Sequence, residues 1–232
     1  MRGKGLTGNQ LKIIALITMT LDHVGVQLFP ECQMLRIIGR IAFPIFAYMI
    51  AEGCKYTRNR KRYLAWMAGS AALCQAVYYV TEQSLYQCVL VTFSLSILLI
   101  YGVDFAKKYR TRNSVLVLVT VAAGVIYLTV CLPLQLSHTD YWVDYGIGGV
   151  CLPVMIYLCD SKWKKLTAMT GGLAVIAWML GGVQWYSLLA IPLLEMYNGK
   201  RGCRLLHSSR CSSQPKLPES LPDRCPALPD HR

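Results

Sequence analysis

The stretch LKIIALITMTLDHVGVQLF, residues 11–29, decides what kind of fold this chain adopts. Its length suits one crossing of a bilayer, since a spanning helix needs about 20 mostly apolar residues. Two ionisable residues, Asp22 and His23, interrupt the run side by side. Charges inside a membrane cost about 2.5–3.5 kcal/mol each on insertion scales, so they usually face a bundle interior and serve a function. The stretch therefore predicts a membrane helix that carries part of a functional site.

The composition of the whole chain places it in the same class. Of its 232 residues 54% are hydrophobic and only 16% are charged, and the mean hydropathy is +0.38. Soluble domains carry about 25% charged residues. The net charge of +12 would suggest nucleic acid in a soluble protein, but here the basic residues lie in clusters between apolar runs. We expect no nucleic-acid partner and, because the ten cysteines show no metal-binding spacing, no metal.

Apolar runs of spanning length recur along the chain and predict an all-α, polytopic bundle of about eight transmembrane helices. The expected segments are 11–29, 34–53, 63–80, 88–105, 114–135, 143–159, 166–181 and 184–198.

The connecting loops alternate in charge. Every second one is basic, namely KYTRNRKR (55–62), KKYRTR (107–112) and SKWKK (161–165), whereas PECQ, TEQSLYQ, SHTDYW and GGVQ contain no lysine or arginine. Basic loops stay on the cytoplasmic side of a membrane. We expect a transmembrane domain over 1–202, with a cytoplasmic N-terminus, in the cytoplasmic membrane. The polar, Pro/Ser/Cys-rich segment 203–232 is expected to be a disordered cytoplasmic tail.

Ionisable residues in the first two predicted helices could form one polar site. His23 lies about 9 Å below the non-cytoplasmic surface, at 1.5 Å per residue, and Arg40 lies at about the same depth, so Asp22 and Arg40 could pair across adjacent antiparallel helices. His23 points about 100° away from Asp22, so it remains as the group that can exchange a proton near neutral pH. Arg36 lies one turn from Arg40, and Glu52 about 18 Å deeper. The candidate catalytic residues are His23 and Asp22, and the candidates for binding a substrate or an oxyanion are Arg36, Arg40 and Glu52. The alternative is that these groups only lock the two helices together.

Two further residues, His138 and Asp140, lie in the non-basic loop SHTDYW. They could form a rim that faces a substrate, but solvated loop residues are the simpler interpretation.

Particular motifs resemble the TraX family of bacterial membrane proteins. They are LTGNQLKIIALITMTLDHVG (6–25), LRIIGRIAFPIFAYMIAEGCKYTRNRKRYL (35–64) and YNGKRG (197–202), and the resemblance covers residues 6–202. Family members continue after the last motif into an aromatic-rich helix with a Pro-x-His-Leu element. From Cys203 onward this chain departs from that pattern, as a frameshift or truncation would produce.

The resemblance implies acyl transfer, because the family is associated with N-terminal acetylation of conjugative pilin and is similar to transmembrane acyltransferases. It implies acetyl-CoA as the donor and His23 as the catalytic residue. The other matching motif positions are Asp22, Arg36, Gly39, Arg40, Pro44, Glu52 and Gly53.

The residues are compatible with that chemistry. His23 would take a proton from an amine or hydroxyl as it attacks a thioester, and Arg36 or Arg40 would stabilise the oxyanion. The basic loop 55–62 could attract the phosphates of the donor. A pilin N-terminus, a glycan and a small molecule remain open as acceptors. A proton-coupled transporter and a non-catalytic membrane scaffold are the alternative functions.

Overall fold

The structure, a computed structural model, describes residues 5–200, and within that range it is helical with no strand beyond two isolated bridges. The helices are α1 (Gly8–Gln27), α2 (Gln33–Gly39), α3 (Ala42–Tyr56), α4 (Arg60–Glu82), α5 (Val89–Tyr109), α6 (Arg112–Ile126), α7 (Leu132–Gln135), α8 (Gly146–Leu158), α9 (Lys162–Leu180) and α10 (Ala190–Glu195). A π-helical turn, Tyr127–Cys131, joins α6 to α7, and a 3-10 helix, Gly182–Leu189, precedes α10.

The predicted all-α fold is confirmed, and each predicted segment coincides with helical structure. Three stretches of the described chain are long and apolar enough to cross a membrane, Gln33–Tyr56, Val89–Tyr109 and Arg112–Gln135. The number of eight crossings stays a prediction. The expected last segment, 184–198, is not one regular helix, because a 3-10 helix and the short α10 share it. The predicted tail 203–232 lies outside the described residues.

The core is built around α3, which is buried along nearly its whole length. In contrast, α4 buries only Ala71, and large apolar side chains such as Val80 and Trp178 are exposed at the periphery. Apolar side chains on the outside and a packed centre suit a bundle that is surrounded by lipid.

The N-terminal segment and the last described residues lie at the same end of the bundle. Leu6 donates its backbone N–H to the Met196 carbonyl at 2.8 Å and accepts one from Asn198 at 3.0 Å. The Lys162 ammonium also donates to the carbonyl of Tyr197 at 3.0 Å, which brings the basic loop before α9 to this end. We call it the basic end.

The non-basic loops meet at the opposite end. The N–H of Gln87 donates to the Trp142 carbonyl at 2.7 Å, and the Asp144 N–H donates back to Gln87 at 3.1 Å. Asp140 accepts a hydrogen bond from the Ser84 hydroxyl and one from the Leu85 N–H. The basic loop before α9 and the two non-basic loops TEQSLYQ and SHTDYW thus lie at opposite ends, as predicted. The alternation of all the loops and the assignment of the basic end to the cytoplasm stay predictions.

Candidate functional site

Arg40 and Asp22 form a bidentate ion pair near the opposite end of the bundle. Arg40 Nη2 lies 2.9 Å from Asp22 Oδ1 and 2.7 Å from Oδ2, and the two side chains are 18% and 20% exposed. The close approach of α1 and α2 makes this contact, since a Cβ on Gly39 would lie 2.3 Å from the Asp22 Cβ. The predicted pair is therefore confirmed.

Residues that the sequence analysis did not select extend this pair into a network. The Arg40 Nη1 donates to the Tyr145 hydroxyl at 3.4 Å, and the Tyr145 ring stacks on Phe43 at 3.7 Å between centroids. The carboxylate of Asp144 accepts a hydrogen bond from the Tyr86 hydroxyl at 2.9 Å and also acts electrostatically on Arg40. We call Asp22, Arg40, Asp144 and Tyr145 the Arg40 cluster. The signal for the last two was an Asp-Tyr pair at the start of the apolar segment 143–159, on the side of the membrane expected for Arg40.

The 3-10 helix Gly182–Leu189 adds two polar residues beside this cluster. Its buried residues are Gln184 and Ser187, whereas Trp185, Tyr186 and Leu189 are exposed. Residues three apart in a 3-10 helix share a face, so the inward face of this helix is polar. The Gln184 side-chain amide lies near the Tyr145 hydroxyl without making a hydrogen bond to it. The helix also packs against α2 and α3, which carry Arg40 between them.

Three buried hydrogen-bonding atoms in this region have no partner within residues 5–200. They are Arg40 Nε, Gln184 Nε2 and Ser187 Oγ. The first two can only donate, and a buried donor without a partner is unfavourable.

His23 and Arg36 lie apart from the cluster. Both side chains are exposed on the surface of the bundle, and neither makes a hydrogen bond or ion pair within the described part of the chain. The structure thus brings together Asp22 and Arg40 but leaves His23 and Arg36 outside their contact. The catalytic role of His23 stays a prediction.

Glu52 belongs to a second site, nearer the basic end. Its carboxylate accepts a short hydrogen bond from the Lys165 ammonium, and both residues are buried. The Lys165 ammonium also lies 5.9 Å from the centroid of the Tyr48 ring. The interpretation of SKWKK as a topological loop was wrong for Lys165, because α9 already begins at Lys162 and turns the later lysine inward. Glu52 lies about 18 Å from Arg40 along the chain, so the two act in different places.

A cleft at the basic end carries a further ion pair. Arg60 Nη2 lies 2.6 Å from Asp104 Oδ2, which also accepts the Tyr157 hydroxyl at 2.6 Å. Arg60 and Lys108 line the cleft together with the aromatic residues Tyr101, Phe105 and Tyr109.

An apolar groove lies on the other side of Tyr145. Its volume is about 260 Å³, and its walls come from the π-helical turn and α7, the start of α8 and the end of α9. Besides Tyr145 they include Val130, Leu134, Trp142 and Met179. All four are exposed, so the groove opens toward the expected lipid.

Asp140 ties two loops together rather than facing a site. The hydrogen bonds from Ser84 and Leu85 lower the pKa of its carboxyl below the usual aspartate value. His138 is exposed nearby. The interpretation of these two as loop residues agrees with this placement.

The fold and the polar clusters define a class, that of helical proteins with apolar, membrane-type helices and ion pairs within the bundle. Residues 7–210 match the sequence model of the family described as TraX protein. The chain therefore belongs to the TraX family.

Two relatives and one negative result complete the comparison. An uncharacterised protein of Rickettsia prowazekii (strain Madrid E) is 55% identical over 173 residues, which are 74% of this chain and 53% of that protein. The "Probable fimbrial assembly protein FimC, serogroup H1" of Dichelobacter nodosus is 24% identical over 224 residues, 84% of this chain and 85% of the relative. The chain thus spans about half the length of the first relative. No solved structure matches.

Proposed function

We propose that this protein is a membrane-embedded acyltransferase of the TraX type, which moves an acyl group from a thioester such as acetyl-CoA to an amine or hydroxyl. The observation that carries the proposal is the hydrogen bonding of the Arg40 guanidinium. Its guanidinium is held by both oxygens of Asp22, and its Nε–H is buried without a partner in residues 5–200. A donor that is positioned in advance in a water-poor site is what a developing oxyanion requires.

The remaining roles follow from chemistry and position. Arg40 stabilises the oxyanion as the acceptor attacks the thioester carbonyl, and Asp22 positions Arg40. His23 lies beside Asp22 in sequence and takes the acceptor's proton, while the thiolate leaves and the acyl–oxygen or acyl–nitrogen bond forms. Arg36, exposed one turn from Arg40, attracts an anionic part of a substrate. Glu52 holds α3 to α9 through Lys165 and acts at a distance from the reaction.

The basic end suits the approach of a cytoplasmic donor. Arg60 and Lys108 project into the cleft between α4 and α5, and both lie over tyrosine rings. Cations attract the phosphates of a nucleotide-bearing thioester such as acetyl-CoA, and aromatic faces stack on its base. The acyl arm must then extend toward the Arg40 cluster.

The acceptor that we propose is a pilus or fimbrial subunit, with a glycan as the other candidate. Support comes from the family and from the relative named as a probable fimbrial assembly protein. The protein would then modify pilin in the bacterial inner membrane.

The direct test uses the purified full chain in lipid nanodiscs with radiolabelled acetyl-CoA and a peptide that carries a pilin N-terminus. We expect label transfer that falls by roughly 10²–10³ in Arg40→Gln, the usual effect of losing one oxyanion donor. In His23→Ala it should fall by roughly 10²–10⁴.

The matched control is His138→Ala, which removes an exposed histidine at the same end of the bundle. It should leave transfer unchanged. Transfer that survives His23→Ala would remove that residue from the mechanism. Absence of transfer to any amine or hydroxyl, together with proton-coupled uptake into liposomes, would replace the enzyme with a transporter.

A further inference from the structure

Two cysteines lie where the end of α4 faces the start of α5. Cys74 lies in α4 about two turns before that helix ends at Glu82, and Cys88 directly precedes α5. Both thiols are free in this structure, with Cys74 exposed and Cys88 half-buried. Because the two residues are far apart along the chain, only a reversal of the backbone between the helices can bring them together.

The segment between the helices makes that reversal. Gln83 caps α4 in the left-handed conformation, with φ 52°, and the residues from there to Cys88 are not helical. Cys74 lies about 12 Å from the end of α4, at 1.5 Å per residue. Residues 84–88 span about 16 Å when they are extended, so the chain is long enough to return as far as Cys74.

Gln75, the neighbour of Cys74, holds the returning segment against α4. Its Nε2 donates to the Tyr86 carbonyl at 2.8 Å, and its Oε1 accepts from the Cys88 N–H at 3.3 Å. The Cys88 thiol lies near the Cys74 thiol, and the two interact electrostatically. The hydrogen bonds of one glutamine therefore keep the two cysteines side by side.

The pair lies at the end of the bundle opposite the basic end. Gln87, next to Cys88, exchanges backbone hydrogen bonds with Trp142 and Asp144 in the other non-basic loop. The charges of the loops predict that this end faces away from the cytoplasm. Thiols on that side of a bacterial membrane meet an oxidising environment, in which disulfides form and persist.

We infer that Cys74 and Cys88 are a redox modification site, at which a disulfide bond fastens α4 to the start of α5. The inference does not depend on the proposed transferase activity. A cross-link has a large effect at this place because, within the described chain, α4 buries a single residue, Ala71, and has little other packing to hold it.

The reaction is a thiol–disulfide exchange with a disulfide oxidant, such as an oxidised thiol oxidoreductase or glutathione disulfide. The exposed Cys74 loses its proton and its sulfur attacks the oxidant, which gives a mixed disulfide and releases one thiol. The Cys88 thiol then loses its proton and attacks Cys74 Sγ, which forms the Cys74–Cys88 bond and releases the second thiol. The two cysteines give up two protons and two electrons, which convert the oxidant's disulfide into two thiols.

The first test maps the thiols of the full chain in bacterial membranes that are quenched with acid and alkylated with N-ethylmaleimide without reductant. We expect mass spectrometry to recover Cys74 and Cys88 in one cross-linked pair of peptides and Cys32 in its alkylated form. Cys32 is the matched control, because it is an exposed thiol in another non-basic loop. Alkylation of both Cys74 and Cys88 in most molecules, or a bond from either one to a different cysteine, would overturn the site.

The second test uses the purified full chain in lipid nanodiscs, equilibrated with oxidised or reduced glutathione. Oxidation should raise the melting temperature by roughly 5–10 °C, as expected for a disulfide that closes a loop of about 15 residues. Cys74→Ser and Cys88→Ser should each abolish both the bond and the shift, whereas Cys32→Ser should retain them. A shift that persists in the first two variants would assign it to other thiols. No shift in a protein that carries the bond would overturn the fastening of α4.

Discussion

At the scale of single residues, the Arg40–Asp22 pair is a structural contact that also supports the proposed role of Arg40. The pair is only partly exposed, and each partner leaves the other as an uncompensated charge when it is removed. The same pairing that locks α1 to α2 also orients the guanidinium so that its Nε is free. Locking and catalysis, which the sequence analysis treated as alternatives, are compatible in this geometry.

A double-mutant cycle on Asp22 and Arg40 measures the pair directly. We expect Asp22→Asn and Arg40→Gln each to lower the unfolding free energy by about 1–3 kcal/mol, because each leaves a poorly compensated partner. The double variant should lose less than the sum, since contacting residues are not additive. Thermal unfolding in one fixed detergent measures all of these. His23→Ala, beside Asp22 but exposed, serves as the control and should unfold as the parent does; strict additivity would show that the pair contributes nothing.

At the scale of elements, the closeness of α1 and α2 depends on one small residue. Gly39 faces the Asp22 side chain so closely that a Cβ would overlap it. The preceding loop is short, and the helix axis is interrupted at Arg40–Ile41 before α3 begins. The site therefore exists because a glycine ends α2 directly before Arg40.

Gly39→Ala is expected to destabilise the protein and to weaken acyl transfer, because α1 and α2 must separate to admit the methyl group. The control is Gly69→Ala in the middle of α4, where a Cβ would meet nothing within 4 Å. That change should stabilise the helix by up to about 1 kcal/mol, the usual difference in helix propensity. Melting temperature and transfer rate measure both effects. If Gly39→Ala and Gly69→Ala changed the melting temperature and the transfer rate equally, close packing would not explain the glycine at position 39.

The contact between the non-basic loops should depend on pH through Asp140. The pKa of Asp140 is lowered by hydrogen bonds from Ser84 and Leu85. Its carboxylate therefore stabilises the contact between the loops above the usual aspartate pKa of about 3.9. This stabilisation is lost as the pH falls further, through the lowered pKa of the folded protein. Hydrogen exchange at Leu85 should therefore accelerate in that acidic range. Asp140→Asn should show fast exchange already at neutral pH, and an unchanged profile in this variant would exclude Asp140 as the cause.

At the scale of the whole molecule, the three polar sites described above lie at different places in one bundle. The Arg60–Asp104 cleft is at the basic end, and the Arg40 cluster is near the opposite end. The Glu52–Lys165 pair joins α3 to α9 between these regions. In the proposed reaction, the acyl group of a cytoplasmic donor must therefore pass through part of the bundle to reach Arg40. The orientation of the chain in the membrane is thus the property of the whole molecule on which that reaction most depends.

Cysteine labelling tests that orientation and the number of crossings together. A single cysteine at His138, in a background where the native cysteines are replaced, should react with a membrane-impermeant maleimide in intact cells. One at Lys164 should react only after the membrane is opened. Both sites are exposed in the bundle, so a difference between them reflects the side of the membrane. The reverse pattern would invert the orientation, and labelling of both from outside would refute the alternation of loops.

The sequence by itself determined the helical class, the positions of the helices and the pairing of Asp22 with Arg40. These follow from hydropathy, charge alternation and a rise of 1.5 Å per residue, all of which are local quantities. The separation of Glu52 from Arg40 also followed from distance along one helical stretch.

Only the tertiary structure decided which polar residues meet. Lys165, Asp144 and Tyr145 come from α9 and the start of α8, far along the chain, and no local pattern relates them to Glu52 or Arg40. The polar face of the 3-10 helix was hidden for the same reason, because only the packing shows that Gln184 and Ser187 of the segment 184–198 face the interior. Long-range packing, rather than composition, therefore sets the chemistry of the site.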